Sequence, residues 1–550
     1  MRNRKLAVIH VALVLAALVV MASIPVFPIA ISFPDPGLEG AIRDAVGKPT
    51  EDIQDADLIR LTSLDASSRG IANLAGIQHC INLQTLLLKN NRIVDISPLS
   101  AITRLRELDL HDNEINDITP LSNLAYLVWL AVSANEVVDI SALTNLTGLR
   151  ILSLWGNEIV DINPLSGLTK LDYLLLSSTA ILNIDALSSL INLTTLDLQD
   201  TGIVDISPLA GLTQLAVLDL QKTEVVDLLP LSNLNNLTEL TLSYNRIVNI
   251  EPLSGLTKLT SLLLNSTNVR DIRPLSALTK LVSLDLVGNS VNDISALAGL
   301  YNLTELFLDW NQLVDIQPLS GLTHLQSLHM RGCGIVDISP LSAMVHLTDL
   351  VLTFNHVIDV QSLSGLTHLL ELNLSSNDIE DIRPLSALTK LITLDLSFND
   401  IFDPSPLSDM ADLTTLNLSY NGIFALSPLS SLVRLTTLDL SHNLIFDIRP
   451  IASLINLVDL NLSSNELGMG GLIERINIEP LSGLTHLTRL DLSFNSIVDI
   501  EPLVRNPGLN NGDVVDIRGN DLDLATDSPD MANILILRSR GVTVEAESSW

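Results

Sequence analysis

Aromatic side chains are scarce in this sequence: Phe, Tyr and Trp make up 3% of its 550 residues, while hydrophobic residues make up 47%. Aliphatic side chains, above all leucine, must therefore fill the core. A chain of this length usually divides into several domains, but a repeat array can form one long domain. An internal repeat is accordingly the feature that decides the fold.

Cysteine and basic residues are also scarce. The two cysteines, Cys80 and Cys333, are too few for a disulfide framework, and no disulfide between them is expected. The 30 Lys and Arg residues are outnumbered by 63 Asp and Glu residues, which leaves a formal net charge of −33. Such a surface repels the phosphates of DNA and RNA, so nucleic acid is excluded from the expected partners.

Sequence motifs of the common enzyme classes are missing as well. The chain contains no Gly-x-Ser-x-Gly, no His-Glu-x-x-His and no phosphate-binding loop. The glycine cluster GMGG at 468–471 lies inside an insertion of eight residues and favours a protruding loop over a nucleotide site. We therefore expect neither catalytic residues nor a cofactor.

Residues 1–32 have the composition of an export segment. Arg2, Arg4 and Lys5 precede an almost wholly apolar run over 6–24, and small residues follow it. This order is typical of a secretory signal peptide. The apolar run is also long enough for a membrane anchor, so the pattern predicts export with the segment either removed or retained. Later apolar runs are interrupted by polar residues every few positions, and no second membrane contact is expected.

A repeat of 22 residues occupies most of the remaining chain. When residues 81–102 are aligned with 103–124, the leucines and one asparagine of the two segments coincide. The frame continues through the chain, with one turn lengthened to 30 residues. This gives 19 clear turns, with a degenerate turn before them at 59–80 and another after them at 507–524.

Each turn predicts one short strand and one compact outer segment. The first half, Leu-x-x-Leu-x-Leu-x-x-Asn, alternates with period two and favours a strand with one buried face. Proline fills one column of the second half in 15 of the 19 turns and forbids a sheet ladder there, so 3₁₀ or irregular turns are expected. The predicted fold is an α/β leucine-rich-repeat solenoid, a horseshoe or right-handed superhelix with a parallel β-sheet on its concave face.

Helical caps are predicted at both ends, because no single turn is stable without neighbours. Asp35-Pro36 is an N-cap followed by proline at the first helical position, and Gly47 ends that helix. Ser528-Pro529 opens a second helix near the C terminus. The predicted organisation is a signal peptide or anchor at 1–32, an N-terminal cap at 33–58, repeats at 59–506, and a divergent last repeat with a C-terminal cap at 507–550.

The repeat unit LTELTLSYNRIVNIEPLSGL at 237–256 resembles the repeat of the internalins and related bacterial surface proteins. The segment FPDPGLEGAIRDAVGKPT at 33–50 resembles their helical N-terminal cap. The resemblance covers about residues 33–550 and implies the leucine-rich-repeat fold and a binding role, with ligands that differ across the family. The sequence shows no Leu-Pro-x-Thr-Gly sorting signal, so covalent attachment to a cell wall is not expected.

One polar column recurs inside the predicted core. It follows each strand and is Asn in 14 of the 19 turns, Thr in four and Cys333 in one. A buried polar side chain in every turn must be hydrogen-bonded, and Asn can serve the backbone of adjacent turns. The predicted structural ladder comprises Asn91, Asn113, Asn135, Asn157, Asn245, Asn289, Asn311, Asn355, Asn377, Asn399, Asn421, Asn443, Asn465 and Asn495.

Two further columns allow alternative interpretations. Asp fills one column in 15 of the 19 turns, as at Asp95 and Asp117, and each carboxylate either caps the following turn or contributes to a row of weak Ca²⁺ sites. His324, His346 and His368 share another column, either as plain surface residues or as ligands of a transition metal. Capping and surface roles are favoured, so no metal site is predicted.

The exposed positions beside the buried strand leucines form a regular grid on the predicted concave face. Exposed aromatic and Arg side chains are common anchors of protein interfaces. The predicted ligand-binding residues form two clusters, each within three consecutive turns: Trp129, Ile151, Trp155 and Tyr173, and then Phe307, Trp310, His329, Arg331, Val351 and Phe354. Some exposed tips are expected only to cover the sheet edge, and these are the residues that fill the LSxN slot in turn after turn: Phe398, Tyr420, His442 and Phe494.

The sequence thus predicts a monomer, exported to the extracellular space or the cell surface, that mediates protein–protein interaction or adhesion. Its partner is expected to be a protein, or a surface glycan, bound on the concave face. Membrane contact is expected only through a retained N-terminal anchor. The alternative is a cytosolic scaffold similar to the phosphatase regulatory subunits with 22-residue repeats, which the signal-like N terminus disfavours.

Overall fold

The computed structural model describes residues 31–467 and 478–546. Most of the predicted export segment, residues 1–30, lies outside the described residues. The glycine cluster at 468–471 and the last four residues, 547–550, lie outside them too. The predictions for these segments therefore stay predictions.

The chain divides into two compact units, residues 1–197 and 198–550. The described part of the first unit contains seven short strands that run parallel in chain order, and neighbours pair 22 residues apart, as Leu64 does with Leu86. These strands are β1 (Ser63–Asp65), β2 (Thr85–Leu87), β3 (Glu107–Asp109), β4 (Trp129–Ala131), β5 (Ile151–Ser153), β6 (Tyr173–Leu175) and β7 (Thr195–Asp197).

Helix α1 (Pro36–Val46) precedes the strands of the first unit, and the short helix α2 (Asp55–Leu58) follows it. Asp35 caps α1, because its Oδ1 accepts hydrogen bonds from two backbone N–H groups of the first helical turn, at 2.9 and 3.1 Å. Its Oδ2 accepts from the N–H groups of Ala72 (2.8 Å) and Asn73 (3.2 Å) and so ties the helix to the first, degenerate turn. Burial raises the pKa of Asp35, but these four N–H groups outweigh it and hold the pKa below its ordinary value.

The described part of the second unit contains fifteen parallel strands, which pair 22 residues apart as far as β19 and at longer spacings after it. The lengthened turn keeps the register, since Leu460 pairs with Leu490. The strands are β8 (Val217–Asp219), β9 (Glu239–Thr241), β10 (Ser261–Leu263), β11 (Ser283–Asp285), β12 (Glu305–Phe307), β13 (Ser327–His329), β14 (Asp349–Val351), β15 (Glu371–Asn373), β16 (Thr393–Asp395), β17 (Thr415–Asn417), β18 (Thr437–Asp439), β19 (Asp459–Asn461), β20 (Arg489–Asp491), β21 (Val514–Asp516) and β22 (Thr543–Glu545).

The outer segments of the turns are 3₁₀ helices, as the proline column predicts. In the first unit they span Ile77–His79, Ser97–Ala101, Thr119–Leu121, Ser141–Leu143, Asn163–Leu165 and Asp185–Ser189. In the second unit they span Ser207–Gly211, Leu229–Leu231, Glu251–Leu253, Arg273–Ala277, Ser295–Gly299, Gln317–Gly321, Ser339–Ala343, Gln361–Gly365, Arg383–Ala387, Ser405–Leu407, Ser427–Ser431, Arg449–Ser453 and Glu479–Gly483.

Two α-helices complete the second unit. Helix α3 (Glu501–Arg505) takes the place of a 3₁₀ segment, which the sequence did not predict. Helix α4 (Pro529–Ser539) begins at the predicted Ser528 cap, whose Oγ accepts from the N–H of Met531 at 3.0 Å. The predicted parallel sheet, outer 3₁₀ turns and helical ends are therefore confirmed.

Aliphatic side chains fill the interior of every turn. In the turn at 105–124 the apolar columns are 0–1% exposed: Leu105, Leu108, Leu110, Ile115, Ile118, Leu121 and Leu124. Burial of one such side chain is worth about 1.5–3 kcal/mol in gross terms. Chain entropy of about 1–2 kcal/mol per ordered residue offsets most of it, so the contacts between turns decide stability.

The Asn column forms a hydrogen-bonded ladder inside the sheet edge. Asn113 Oδ1 accepts from the N–H of Ile93 in the preceding turn (3.0 Å), and its Nδ2 donates to the carbonyls of Leu88 (3.1 Å) and Leu110 (3.0 Å). The other predicted ladder residues repeat this pattern, for example Asn399. One amide per turn thus satisfies backbone groups of two turns.

Residues that replace Asn in this column keep part of its bonding. The hydroxyl of Thr179 donates to the carbonyl of Leu176 in its own turn (2.7 Å). The Cys333 thiol donates to the carbonyl of Leu308 at 3.1 Å, one turn away. Burial raises the pKa of Cys333 to about 11 and that of Cys80 to about 12, so both free thiols are protonated at neutral pH.

The Asp column caps the outer segments. Asp95 Oδ1 accepts from the N–H of Ser97 at 2.8 Å, and Asp205 and Asp337 accept in the same way two residues on. Because each carboxylate is engaged by its own turn, the geometry favours the capping interpretation over a row of Ca²⁺ sites.

Replacement of a ladder residue should destabilise the second unit locally. Asn355→Ala removes the oxygen that accepts from two buried N–H groups, those of Cys333 (3.1 Å) and Ile335 (3.0 Å). It also removes the NH₂ group that donates to the carbonyls of Met330 and Leu352. We expect the free energy of unfolding in urea to fall by about 2–3 kcal/mol.

Hydrogen exchange at the amides of residues 333 and 335 should quicken in the same variant. The matched control is Asn268→Ala, an exposed asparagine one position beyond the ladder column, which should change stability by less than about 0.5 kcal/mol. Equal destabilisation by both substitutions would contradict the ladder's role.

Candidate ligand-binding surface

The exposed side of the strands, called here the open face, carries the first and third residues of each strand. In β5, Ile151 and Ser153 are half-buried on this face while Leu152 points into the core. Three residues beyond each strand lies a tip position, which has positive φ in turn after turn. Strands repeat at about 4.8 Å, so each column of the open face holds its side chains in fixed register.

The first aromatic patch lies in the first unit and comprises Trp129, Ile151, Trp155 and Tyr173. Trp129, Ile151 and Tyr173 are the first residues of β4, β5 and β6, and the register pairs Trp129 with Ile151 and Ile151 with Tyr173. The third positions of the same strands hold Ala, Ser and Leu. The row of large side chains therefore stands beside smaller neighbours.

Three contacts that the sequence did not predict lie in and beside the first patch. The Trp155 ring packs against the ring of His111 with centroids 5.1 Å apart and planes at 46°. His111 Nδ1 lies 3.1 Å from the carbonyl oxygen of Ser133. Directly before the patch residues of β5 and β6, Arg150 and Asp172 form an ion pair.

The second aromatic patch lies in the second unit and comprises Phe307, Trp310, His329, Arg331, Val351 and Phe354. Phe307, His329 and Val351 are the third residues of β12, β13 and β14 and pair in register. The rings of Phe307 and His329 meet edge to face, with centroids 5.0 Å apart and planes at 84°. The backbone N–H of Arg331 donates to Asp309 Oδ1 at 2.6 Å.

A carboxylate orients His329, and sequence reasoning missed it. His329 Nε2 lies 2.6 Å from Asp349 Oδ2, which also accepts from Ser327 Oγ at 2.8 Å. Burial lowers the pKa of His329, but the hydrogen bond and charge of Asp349 outweigh it, so the pKa lies above its ordinary value. Burial raises the pKa of Asp349, and the hydrogen bonds from His329 and Ser327 bring it below its ordinary value.

Trp310 and Phe354 occupy the tip position rather than the strands, with φ of 58° and 56°. Their side chains are 53% and 57% exposed, and their ring centroids lie 6.2 Å apart across the intervening turn. That turn has Gly332 at its tip, where a Cβ would come within 2.5 Å of the Trp310 ring. Glycine between two aromatic tips is thus what lets the rings approach each other.

The same tip column holds the residues that the sequence assigned to the sheet edge. Phe398, Tyr420 and His442 form a stack with centroids 4.0 and 3.9 Å apart and planes at 11° and 14°. Trp310 and Phe354 therefore lie in the same column as these edge residues.

A second exposed apolar column escaped sequence reasoning. Four residues beyond the tip it holds Phe402, Phe424 and Phe446 in consecutive turns, and exposed Val or Ile in several others, such as Val336 and Ile358. The shared spacing of 22 residues is the signal that could have revealed it, since phenylalanine occurs only nine times in the chain.

Each of the three histidines of one column contacts a backbone carbonyl or stacks on a neighbouring histidine ring. Within residues 31–467 and 478–546, no three or more His, Cys, Asp or Glu side chains are grouped to hold a metal ion. Nδ1 of His324 and of His368 lies 3.2 and 3.1 Å from a backbone carbonyl of the preceding turn, and the His324 ring stacks on His346 with centroids 6.3 Å apart. The same part of the chain has no helix with the length and apolar composition to cross a bilayer.

The models of known protein families that match this chain are models of the leucine-rich repeat. A model of paired leucine-rich repeats matches 81–123, 235–277, 257–299 and 367–409, and a single-repeat model matches 483–499. Over 67 residues the chain is 42% identical to Internalin H of Listeria monocytogenes, a match that spans 12% of this chain and only 12% of that relative.

Comparison with solved structures extends the match. The crystal structure of the internalin InlF from Listeria monocytogenes is 32% identical, covers 65% of this chain and all of its own, and superposes with a TM-score of 0.57. Two receptors share the fold at lower identity: plant peptide hormone receptor RGFR1 in complex with RGF2 (19%, covering 90% of this chain and 95% of its own, TM-score 0.63) and a TDR receptor (21%, 85% and 86%, 0.67). The chain therefore belongs to the internalin-like leucine-rich-repeat proteins.

Proposed function

We propose that this chain is an exported recognition or adhesion protein that binds another protein on its open face. The observation that carries the proposal is the concentration of aromatic side chains in two patches of a chain with only 3% aromatic residues. Exposed aromatic and large apolar side chains on a soluble protein mark interaction sites.

Both patches are ordered before a ligand arrives. The Trp155 ring rests on His111 in the first, and the His329 ring is held between Phe307 and Asp349 in the second. Side chains that are already fixed lose little conformational entropy on binding, so contact energy is available for affinity.

A protein ligand fits the composition of the patches better than a surface glycan. The patches combine aromatic rings with the aliphatic side chains of Ile151 and Val351 and the guanidinium of Arg331. Aromatic residues and Arg are the residues enriched at the energetic centres of protein interfaces. Catalysis is not part of the proposal, because this fold serves as an interaction scaffold.

Export is supported by the signal-like pattern of residues 1–32 and by the relationship to the internalin InlF. The alternative, a cytosolic scaffold, would leave the chain at full length inside the cell. The two functions therefore differ in a property that fractionation measures directly.

Fractionation of the native host should recover the protein outside the cytosol. Mass spectrometry of its N terminus should find either a new terminus after the apolar run, near residue 31, or an intact N terminus in the membrane fraction. Full-length protein in the cytosol would favour the scaffold instead.

Truncation of the first patch should weaken ligand binding without affecting folding. Residues 33–550 are immobilised, a partner is captured and identified by mass spectrometry, and its affinity is measured by calorimetry. We expect Trp129→Ala with Trp155→Ala to raise the Kd at least about tenfold, because interface aromatics dominate binding energy. The melting temperature should stay unchanged.

The matched control is Tyr126→Ala, which removes another aromatic ring three residues before Trp129. Tyr126 is 65% exposed and lies outside the strand, so its loss should leave both affinity and melting temperature unchanged. Loss of folding in the double variant, or an equal loss of affinity in the control, would count against the first patch as a binding surface.

The second patch should depend on pH through His329. Its folded pKa lies above the unfolded value of 6.5, so its stabilising contribution is fully present below pH 6.5 and is lost as the pH rises through the folded pKa. In Asp349→Asn the carboxylate is gone and burial dominates, so we expect the pKa of His329 to fall below 6.5.

Nuclear magnetic resonance of ¹³C-labelled histidine would measure this titration in the wild-type chain and the variant. Asp359→Asn is the control, because Asp359 caps its own turn by accepting from the N–H of Gln361 at 2.8 Å and should leave the His329 midpoint where it was. A His329 midpoint unmoved by Asp349→Asn would refute the proposed coupling.

A further inference from the structure

A second apolar surface, called here the flank patch, comprises Phe402, Phe424 and Phe446 in three consecutive turns of the second unit. Their side chains are 49%, 50% and 42% exposed. Each follows one of the three stacked tip rings by four positions, so the same turns carry two rows of aromatic side chains. Three of the nine phenylalanines of the chain lie in this one column.

The fold does not require aromatic rings at these positions. The same column holds Val336 and Ile358 in earlier turns, where they are 57% and 60% exposed. A half-exposed phenyl ring gains little from folding, and three adjacent ones form a contiguous apolar area in contact with water. Such an area is characteristic of a surface that a partner covers.

The charged residues that border this column are missing at the centre of the flank patch. On one side the bordering column reads Asp378, Asp400, Gly422, Leu444, and on the other it reads Asp381, Asp403, Ala425, Asp447. The Phe402 ring lies against Gly422, where a Cβ would collide with it. The rings and the small residues between them thus form one apolar centre.

Carboxylates border this centre. Phe402 lines one surface cavity together with Glu380, Asp381 and Asp403, and the bordering columns add further aspartates at 378, 400 and 447. The basic side chain in that cavity, Arg383, is paired with Asp381 (2.6 Å). The rim of the flank patch is therefore negatively charged.

We propose that the flank patch is a second protein-binding surface, specific for a partner whose contact region has apolar side chains ringed by Lys and Arg. An aromatic centre depleted of charge, within a polar rim, is the composition of a specific interface. The carboxylate rim attracts a basic partner and repels a second copy of this acidic chain and an anionic membrane surface. The proposal is independent of the open face.

Selection of peptides would test the proposal. A phage-displayed random peptide library is selected on the full-length chain and depleted on the variant F402S/F424S/F446S. We expect the selected peptides to carry aromatic or aliphatic anchors together with Lys or Arg. They should bind the triple variant at least about tenfold more weakly and lose affinity as NaCl is raised.

Two further variants separate the contributions. V226S/V248S/V336S removes exposed valines of the same column in other turns and should leave peptide affinity unchanged. Asp400→Lys reverses one exposed rim charge without touching the rings, and should weaken binding even if the triple variant were to fold poorly.

Three results would overturn the proposal. Selected peptides without net positive charge would refute the acidic rim as a determinant, and a selection in which no peptide survives depletion on F402S/F424S/F446S would refute the rings. The third result is self-association in sedimentation, or binding to vesicles of phosphatidylcholine and phosphatidylserine, that the triple variant abolishes. Either would show that the flank patch binds a second copy of the chain or a membrane instead.

Discussion

A buried hydrogen-bonding side chain in each turn, an asparagine in 14 of the 19, is the constraint on which the rest of this structure depends. Backbone groups removed from water must be paired, and each of these asparagines pairs three of them at once. Asn399 accepts from the N–H of Ile379 and donates to the carbonyls of Leu374 and Leu396, so it joins one turn to the next. The position of the tip residue directly before it follows from these bonds, with φ of 54° at Phe398.

The ladder holds every turn in the same register. The turns therefore differ from one another mainly in which residue occupies each surface column. A large ring in one turn then needs room in the next, and glycine provides it. Trp310 lies over Gly332, Phe402 lies against Gly422, and Phe494 approaches Gly519, where a Cβ would come within 2.7 Å. In each pair the glycine removes a side chain that would otherwise stand beneath the ring, so aromatic and glycine act together.

The fold could be predicted from sequence because the residues that determine it are local and repeated. The contacts that shape the candidate sites are neither local nor repeated. Residue type and spacing are enough to identify the leucine columns, the ladder asparagines and the Asp35 cap. The contact between His329 and Asp349 joins residues 20 positions apart, on different columns of neighbouring strands, so the 22-residue period conceals it. The flank patch was hidden for another reason: in most turns its column holds Val or another aliphatic residue, which looks like Phe in a hydrophobic pattern although a phenyl ring is larger.

The apolar positions stand out because most of the surrounding surface is acidic. The carboxylates of the Asp column are hydrogen-bonded within their turns, and at Asp271 and Asp381 an Arg side chain and a backbone N–H lower the pKa to about 2. The second aromatic patch and the flank patch, the two surfaces proposed to bind a partner there, lie where these carboxylates are interrupted. The third strand position reads Asp285, Phe307, His329, Val351, Asn373, Asp395 through the second aromatic patch, and the flank patch centres on Gly422 and Ala425. In both places the apolar surface lies inside a negative border, so the two proposed sites have the same composition of an apolar centre and a charged rim.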